Sequence, residues 1–214
     1  MKRLYRRMRY GEPLIVVSGL PRSGTSMVMQ MLEAAGVPIA TDAIRDADED
    51  NPKGYFELER VKDLHQESNP SWLRQYQGKA IKIIAFLLLY LPKTLNYRVI
   101  FMERDLEEIL KSQRKMLERR GEADPTSDAK MKENYRNHLI RVRWLLKNHA
   151  AFSVLFVAYQ DVIRNPYEAA QRINRFLGNR WDPLTMARVV DPSLYRNRKD
   201  SQDEANTAKE NPHA

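Results

Sequence analysis

The chain has 214 residues, 43% of them hydrophobic, and a formal charge of +8. That length favours one domain with a full core, and the absence of cysteine excludes a disulfide framework, a thiol nucleophile and a cysteine-ligated metal. The positive balance suits nucleic acid, an acidic membrane surface or a polyanionic small ligand.

Residues 1–13 form a basic arm, MKRLYRRMRYGEP. It has charge but no apolar core of signal type. A solvated tail is the plain reading of it, and contact with a membrane or an acidic partner is the other. The longest greasy stretch, 81–91, holds Lys82 and ends at Pro92. A membrane span needs roughly 20 apolar residues, so no stable membrane insertion is expected, and a cytoplasmic location is the default. The charge is diffuse and no reading motif for nucleic acid appears.

The domain is expected over 14–195. An apolar, β-branched run, Leu14-Ile15-Val16-Val17, predicts a strand. Ser18-Gly19-Leu20-Pro21-Arg22-Ser23-Gly24-Thr25-Ser26 follows as a glycine loop, and 27–35 as a helix stopped by Gly36. Strand, glycine loop and helix together are the context of a phosphate-binding loop. The glycines let backbone N–H groups turn inward, and the helix adds its free N–H groups and positive dipole end. Gly19 and Gly24 have the spacing of Gly-x-x-x-x-Gly-Lys-Ser/Thr, but Thr25 stands in the lysine's place and the cation has moved to Arg22. A triphosphatase would lose its β/γ-phosphate clamp by that change.

Further on, 37–51 is polar and acidic and reads as a loop; Asn51-Pro52-Lys53-Gly54 is a turn signal. A helical pattern with Leu58, Val61, Leu64 and His65 ends before Pro70. Strands are predicted over 79–85, 97–102 and 153–158, with a helix starting near Phe86. Leu106, Ile109, Leu110, Gln113 and Leu117 mark one helix face, and Met131, Tyr135, Leu139 and Val142 another, capped by Thr126 or Ser127. Helices at 165–177 and after Trp181 follow. From 196 the chain is polar and reads as a disordered tail. Alternating strands and helices predict an α/β fold, a parallel sheet with helices on both faces. Ligands of such sheets sit off the carboxyl ends of the strands, which puts the loop, Arg104 and Tyr159 on one rim.

Arg104 ends a strand and Ser112 lies two turns into the next helix, so guanidinium and hydroxyl could meet on one phosphate. Lys82 stands among apolar neighbours, and an unpaired buried ammonium is costly. Glu57 follows the turn at a helix start, where a carboxylate suits the dipole; a capping role and a base role are both open. Asp42 and His65 are the other candidate bases. Tyr159 can line a pocket or pack in the core.

Pro21-Arg22-Ser23-Gly24-Thr25-Ser26 resembles the 5′-phosphosulfate loop of sulfotransferases, where Lys or Arg occupies the Arg22 slot. Arg104 with Ser112 is similar to that family's 3′-phosphate pair, and Asn51-Pro52-Lys53-Gly54-Tyr55-Phe56-Glu57 to a segment of one bacterial subgroup. The family's Arg-Lys-Gly-x-x-Gly loop has no counterpart, which suggests a short bacterial type. The resemblance implies transfer of a sulfuryl group from 3′-phosphoadenosine 5′-phosphosulfate (PAPS), leaving 3′,5′-ADP, to a hydroxyl or amine of a small-molecule, glycan or lipid acceptor. It implies a three-layer nucleoside triphosphate hydrolase-like α/β fold with a central parallel sheet of four to five strands, and no required metal. Lys82 would then meet the leaving oxygen, as a similarly placed lysine does in tyrosylprotein sulfotransferases. Tyr159 would line the nucleotide pocket, and Glu57 or Asp42 would take the acceptor's proton. A nucleotide or small-molecule kinase, and a catalytically silent nucleotide-binding protein, are the alternatives.

Overall fold

A computed structural model describes residues 2–42, 56–122 and 126–194 of the chain. The turn at 51–55, most of the acidic loop and the polar tail lie outside the described residues.

Five strands form one parallel sheet: β1 (Leu14–Gly19), β2 (Ile39–Ala40), β3 (Ala80–Lys82), β4 (Tyr97–Glu103) and β5 (Phe152–Ala158), in the order β2-β3-β1-β4-β5. Every residue of β1 is buried, as befits a central strand covered on both faces. Its side chains alternate between two cores. Leu14 and Val16 join Tyr97, Val99, Phe101, Val142 and Leu146 on one face. Ile15 and Val17 join Val28, Met31, Ile173 and Leu177 on the other.

The helices that fill those faces are α2 (Thr25–Ala34), α3 (Leu106–Arg120), α4 (Asp128–Asn148), α5 (Tyr159–Arg164), α6 (Pro166–Leu177) and α7 (Pro183–Arg188). Their starts are written in the chain. Asp105 accepts from the N–H groups of Glu107 and Glu108, Ser127 from Lys130, Asn165 from Glu168, and Asp182 from Leu184 and Thr185. Each such cap contributes about 1 kcal/mol.

Three expectations are corrected. The segment after Leu58 is a 3₁₀ helix, Glu59–His65, and two more follow at Ser71–Tyr76 and Ala85–Tyr90. Leu58, Val61 and Leu64 are buried at a strict interval of three, the repeat of a 3₁₀ helix. The loop read after α2 contains β2, too short to show a period, held by pairing with Ala80 and Ile81. The basic arm is not a loose tail: Lys2–Tyr10 is a helix, α1.

Candidate active site

The C-terminal ends of β1, β3 and β4 converge around residues 19–24. Here the chain makes a tight cradle, with Ser23 N–H donating to Leu20 O at 3.2 Å. Arg22 has φ 67°, a left-handed conformation that costs a non-glycine residue roughly 1–2 kcal/mol. Strain of this kind collects at ligand-gripping loops. A Cβ on Gly19 would lie 2.3 Å from Ser23 Oγ and 2.8 Å from Met102 O. On Gly24, whose φ is 95°, it would lie 2.5 Å from Tyr159 Cδ2. Both positions therefore exclude a side chain. Gly24 opens α2 without a side-chain cap, and the positive end of the helix dipole faces the cradle. Ser18 and Ser23 are fully buried, and neither hydroxyl has a hydrogen-bond partner among the described residues. The cradle thus gathers donors, and Pro21 presents no competing N–H.

Beside it, Arg22 Nε donates to Ser112 Oγ at 3.1 Å, and Arg104 Nη1 donates to Arg22 O at 3.0 Å. Two groups separated by about 80 residues in sequence are in direct contact, because β4 pairs with β1 up to Gly19↔Met102. The Arg104 guanidinium lies 4.4 Å from the centroid of the Tyr159 ring. Tyr159 is thereby wedged between Gly24 and Arg104. Burial pushes its phenol up from the ordinary value, with Arg104 acting in the opposite direction.

Glu108 is the functional neighbour that sequence reasoning missed. Its side chain is 1% exposed, and Oε2 accepts from Arg104 Nε at 2.9 Å. Oε1 accepts from Gln160 Nε2 at 3.3 Å. The signal was the spacing 104, 108, 112, which stacks Glu108 and Ser112 on one helix face.

On the other side of the loop, Lys82 Nζ lies 3.3 Å from Ser26 Oγ and 3.3 Å from Glu57 Oε1. Lys82 ends β3 opposite Val17 of β1, so its face is the right one. Asp42 Oδ2 accepts from Glu59 N–H at 2.5 Å, and Asp42 N–H donates to Glu57 O at 3.3 Å. Both candidate carboxylates therefore lie on adjoining backbone, with Glu57 the one in contact with Lys82. His65 is not drawn in. Its contacts are with Lys62 O, Gln66 and the Tyr90 ring. Among the described residues no group of three or more His, Cys, Asp or Glu could hold a metal ion, and no helix is long and apolar enough to cross a membrane.

The sequence model of the sulfotransferase domain matches residues 12–213. The chain belongs to the sulfotransferase family. No curated protein matches it by sequence. Among solved structures, sulfotransferase STF9 from Mycobacterium avium superposes with a TM-score of 0.50 at 16% identity, covering 95% of this chain and 69% of that one. A sulfotransferase from Alicyclobacillus acidocaldarius gives 0.48 at 16%, covering 92% and 91%. A sugar kinase from Janibacter sp. HTCC2649 gives 0.44 at 12%, covering 86% and 98%. The parallel α/β fold of this sulfotransferase is that of the family.

Proposed function

We propose that this sulfotransferase moves a sulfuryl group from PAPS to a hydroxyl or amine by in-line displacement. The observation that carries the reading is the continuous contact Ser112–Arg22–Arg104 beside the donor-lined loop. A nucleotide with phosphate at both ends needs two anion sites close together, and this chain has two that touch. The orphaned Ser23 hydroxyl and the uncapped start of α2 suit acceptor-only sulfuryl and phosphate oxygens. Thr25, where a triphosphatase has lysine, removes the clamp on a β/γ-phosphate.

In this reading Arg22, Ser23, Gly24, Thr25 and Ser26 hold the sulfuryl oxygens and 5′-phosphate. Arg104 and Ser112 meet the 3′-phosphate, and the Tyr159 ring closes the nucleotide side. When bound, PAPS supplies the sulfuryl group and departs as 3′,5′-ADP. Glu57 accepts the proton that the attacking hydroxyl or amine loses. Its pairing with Lys82 gives that transfer a second effect. A protonated Glu57 no longer holds the ammonium, which turns to the charge developing on the leaving oxygen. Positioning and charge stabilisation supply the rest of the rate. Sugar, lipid, peptide or phenol acceptors all fit this chemistry.

Thermal unfolding with 3′,5′-ADP, ADP, ATP and GTP, with chelator and with magnesium, tests the reading. At about 100 times its dissociation constant a ligand stabilises by about 2.7 kcal/mol, or roughly 5–10 °C for a chain of this size. The response should be selective for 3′,5′-ADP and indifferent to magnesium. Arg22→Ala should unfold near the wild-type temperature and lose both the response and sulfuryl transfer. Preference for ATP with magnesium would return the chain to a kinase reading, and a full response with full transfer in Arg22→Ala would remove Arg22 from the site.

A further inference from the structure

Helix α1 lies across the end of the sheet remote from the loop. Arg6 fastens it on its inner side, donating to Phe152 O at 2.9 Å, to Tyr97 O at 3.4 Å and to Ser153 Oγ. These are the first residues of β4 and β5. Gln77 and Asn96 hold the chain that follows, through the carbonyls of Tyr10, Gly11 and Glu12. Three and four residues are the same-face intervals of a helix, so Tyr5, Met8 and Arg9 share the outer side. There Tyr5 is 58% and Met8 80% exposed. The helix's charged residues are Lys2, Arg3, Arg6, Arg7 and Arg9, with no acid among them. Arg7 pairs with Glu12 just beyond the helix, and Arg9 donates to Tyr5 OH at 2.9 Å.

We propose that α1 docks this protein on an anionic lipid bilayer. A cationic helix that exposes a methionine and a tyrosine together has what an interfacial helix needs: apolar side chains to enter the headgroup region and charge to be drawn there. A second copy is opposed by the repulsion of two such helices. A protein partner needs about 800 Å² on each side for a stable interface, whereas nine residues of helix span only about 14 Å. A bilayer has no such threshold, because contact with many headgroups adds up. The docked face and the loop 19–24 lie at opposite ends of β1, about 20 Å apart. Binding therefore leaves the nucleotide site open to water, and it is independent of the sulfuryl-transfer reading.

Flotation of the full chain with vesicles tests this. Vesicles of equal parts phosphatidylcholine and phosphatidylglycerol should carry the protein, and phosphatidylcholine alone should not. Added salt should weaken the binding. Arg7→Gln with Arg9→Gln should reduce it roughly 30-fold, from about fivefold per cation lost. Tyr5→Ser with Met8→Ser should reduce it several-fold. Thermal unfolding of both double variants should stay near the wild type, since all four side chains are exposed and the pairs they lose are surface pairs. No binding to the anionic vesicles overturns the proposal. So does loss in the arginine variant with none in the Tyr5/Met8 variant, which would make α1 a contact for soluble polyanions or acidic proteins.

Discussion

Replacing Arg104 by alanine separates its ion pair with Glu108 from the 3′-phosphate binding proposed for it. Arg104 and Glu108 form an ion pair whose side chains are 7% and 1% exposed. Breaking a buried pair by removing one partner costs about 3–5 kcal/mol, most of it from the charge left behind. For a chain of this length each kcal/mol lowers the midpoint by about 2–4 °C, so Arg104→Ala should lose roughly 6–20 °C. Adding Glu108→Gln removes the stranded carboxylate. The double variant should therefore regain several degrees, although it carries one more substitution.

Nucleotide binding should follow a different rule. Charge-assisted hydrogen bonds contribute roughly 1.5–3 kcal/mol each, so Arg104→Ala should weaken 3′,5′-ADP by about tenfold or more and leave 5′-AMP nearly unchanged. The double variant should bind as the Arg104 variant does, because restored stability does not restore the guanidinium. Glu108→Gln alone should lose part of the preference for 3′,5′-ADP, since Arg104 is kept but less firmly aimed; on the proposed reading Glu108 is a positioning residue. Calorimetric titration of both nucleotides, with unfolding curves of each variant, reads all these quantities. Unchanged preference in Arg104→Ala would remove that residue from the 3′-phosphate site. A double variant no more stable than the single would refute the stranded-charge account.

Two other outcomes are expected. Glu57→Gln should keep 3′,5′-ADP affinity and lose transfer rate by about 100-fold or more, while Asp42→Asn should keep most of the rate; single-turnover transfer measures both, and the reverse ranking would move the base to Asp42. Lys93, whose ammonium donates to Leu89 O and Leu91 O, is pushed down by burial to about 8 from 10.5. Between those values the unfolded chain binds the extra proton, so stability should rise with pH from about 8; Lys93→Gln should flatten that rise in unfolding curves, and an unchanged slope would exclude the lysine as its source.

The strand–loop–helix unit was legible because each signal is local. Four buried apolar residues, two glycines and a helix start lie within one continuous stretch, and no distant residue is needed to see them. The same holds for α3, α4, α6 and α7, whose caps are one or two residues from the helix they open. The pattern after Leu58 read as helical without giving the helix type, for a local reason too. Leu58, Val61 and Leu64 fit the first turn of either helix type, and only the strict interval of three tells them apart. The helix α1 was missed because Arg6, which fastens it to the sheet, reads in the sequence as one more solvated cation in a basic run.

Pairings set by topology were not legible, and the site depends on them. Lys82 reaches Ser26 and Glu57 only because β3 lies beside β1. Spacing alone could equally have put the lysine on a solvent-facing edge. Glu108 shows the converse. An acid in the first turn of a helix is well explained by the dipole, and that explanation suffices until Arg104 is found bending back over the loop. The local rule and the site then make opposite demands on the same residue. A dipole partner works best in solvent, yet Glu108 is almost fully enclosed. Enclosure makes Arg104 expensive to remove and keeps its guanidinium in one place. That fixity distinguishes Arg104 from a flexible surface cation, and in the proposed reading it accounts for an acid beside a cradle that takes anions.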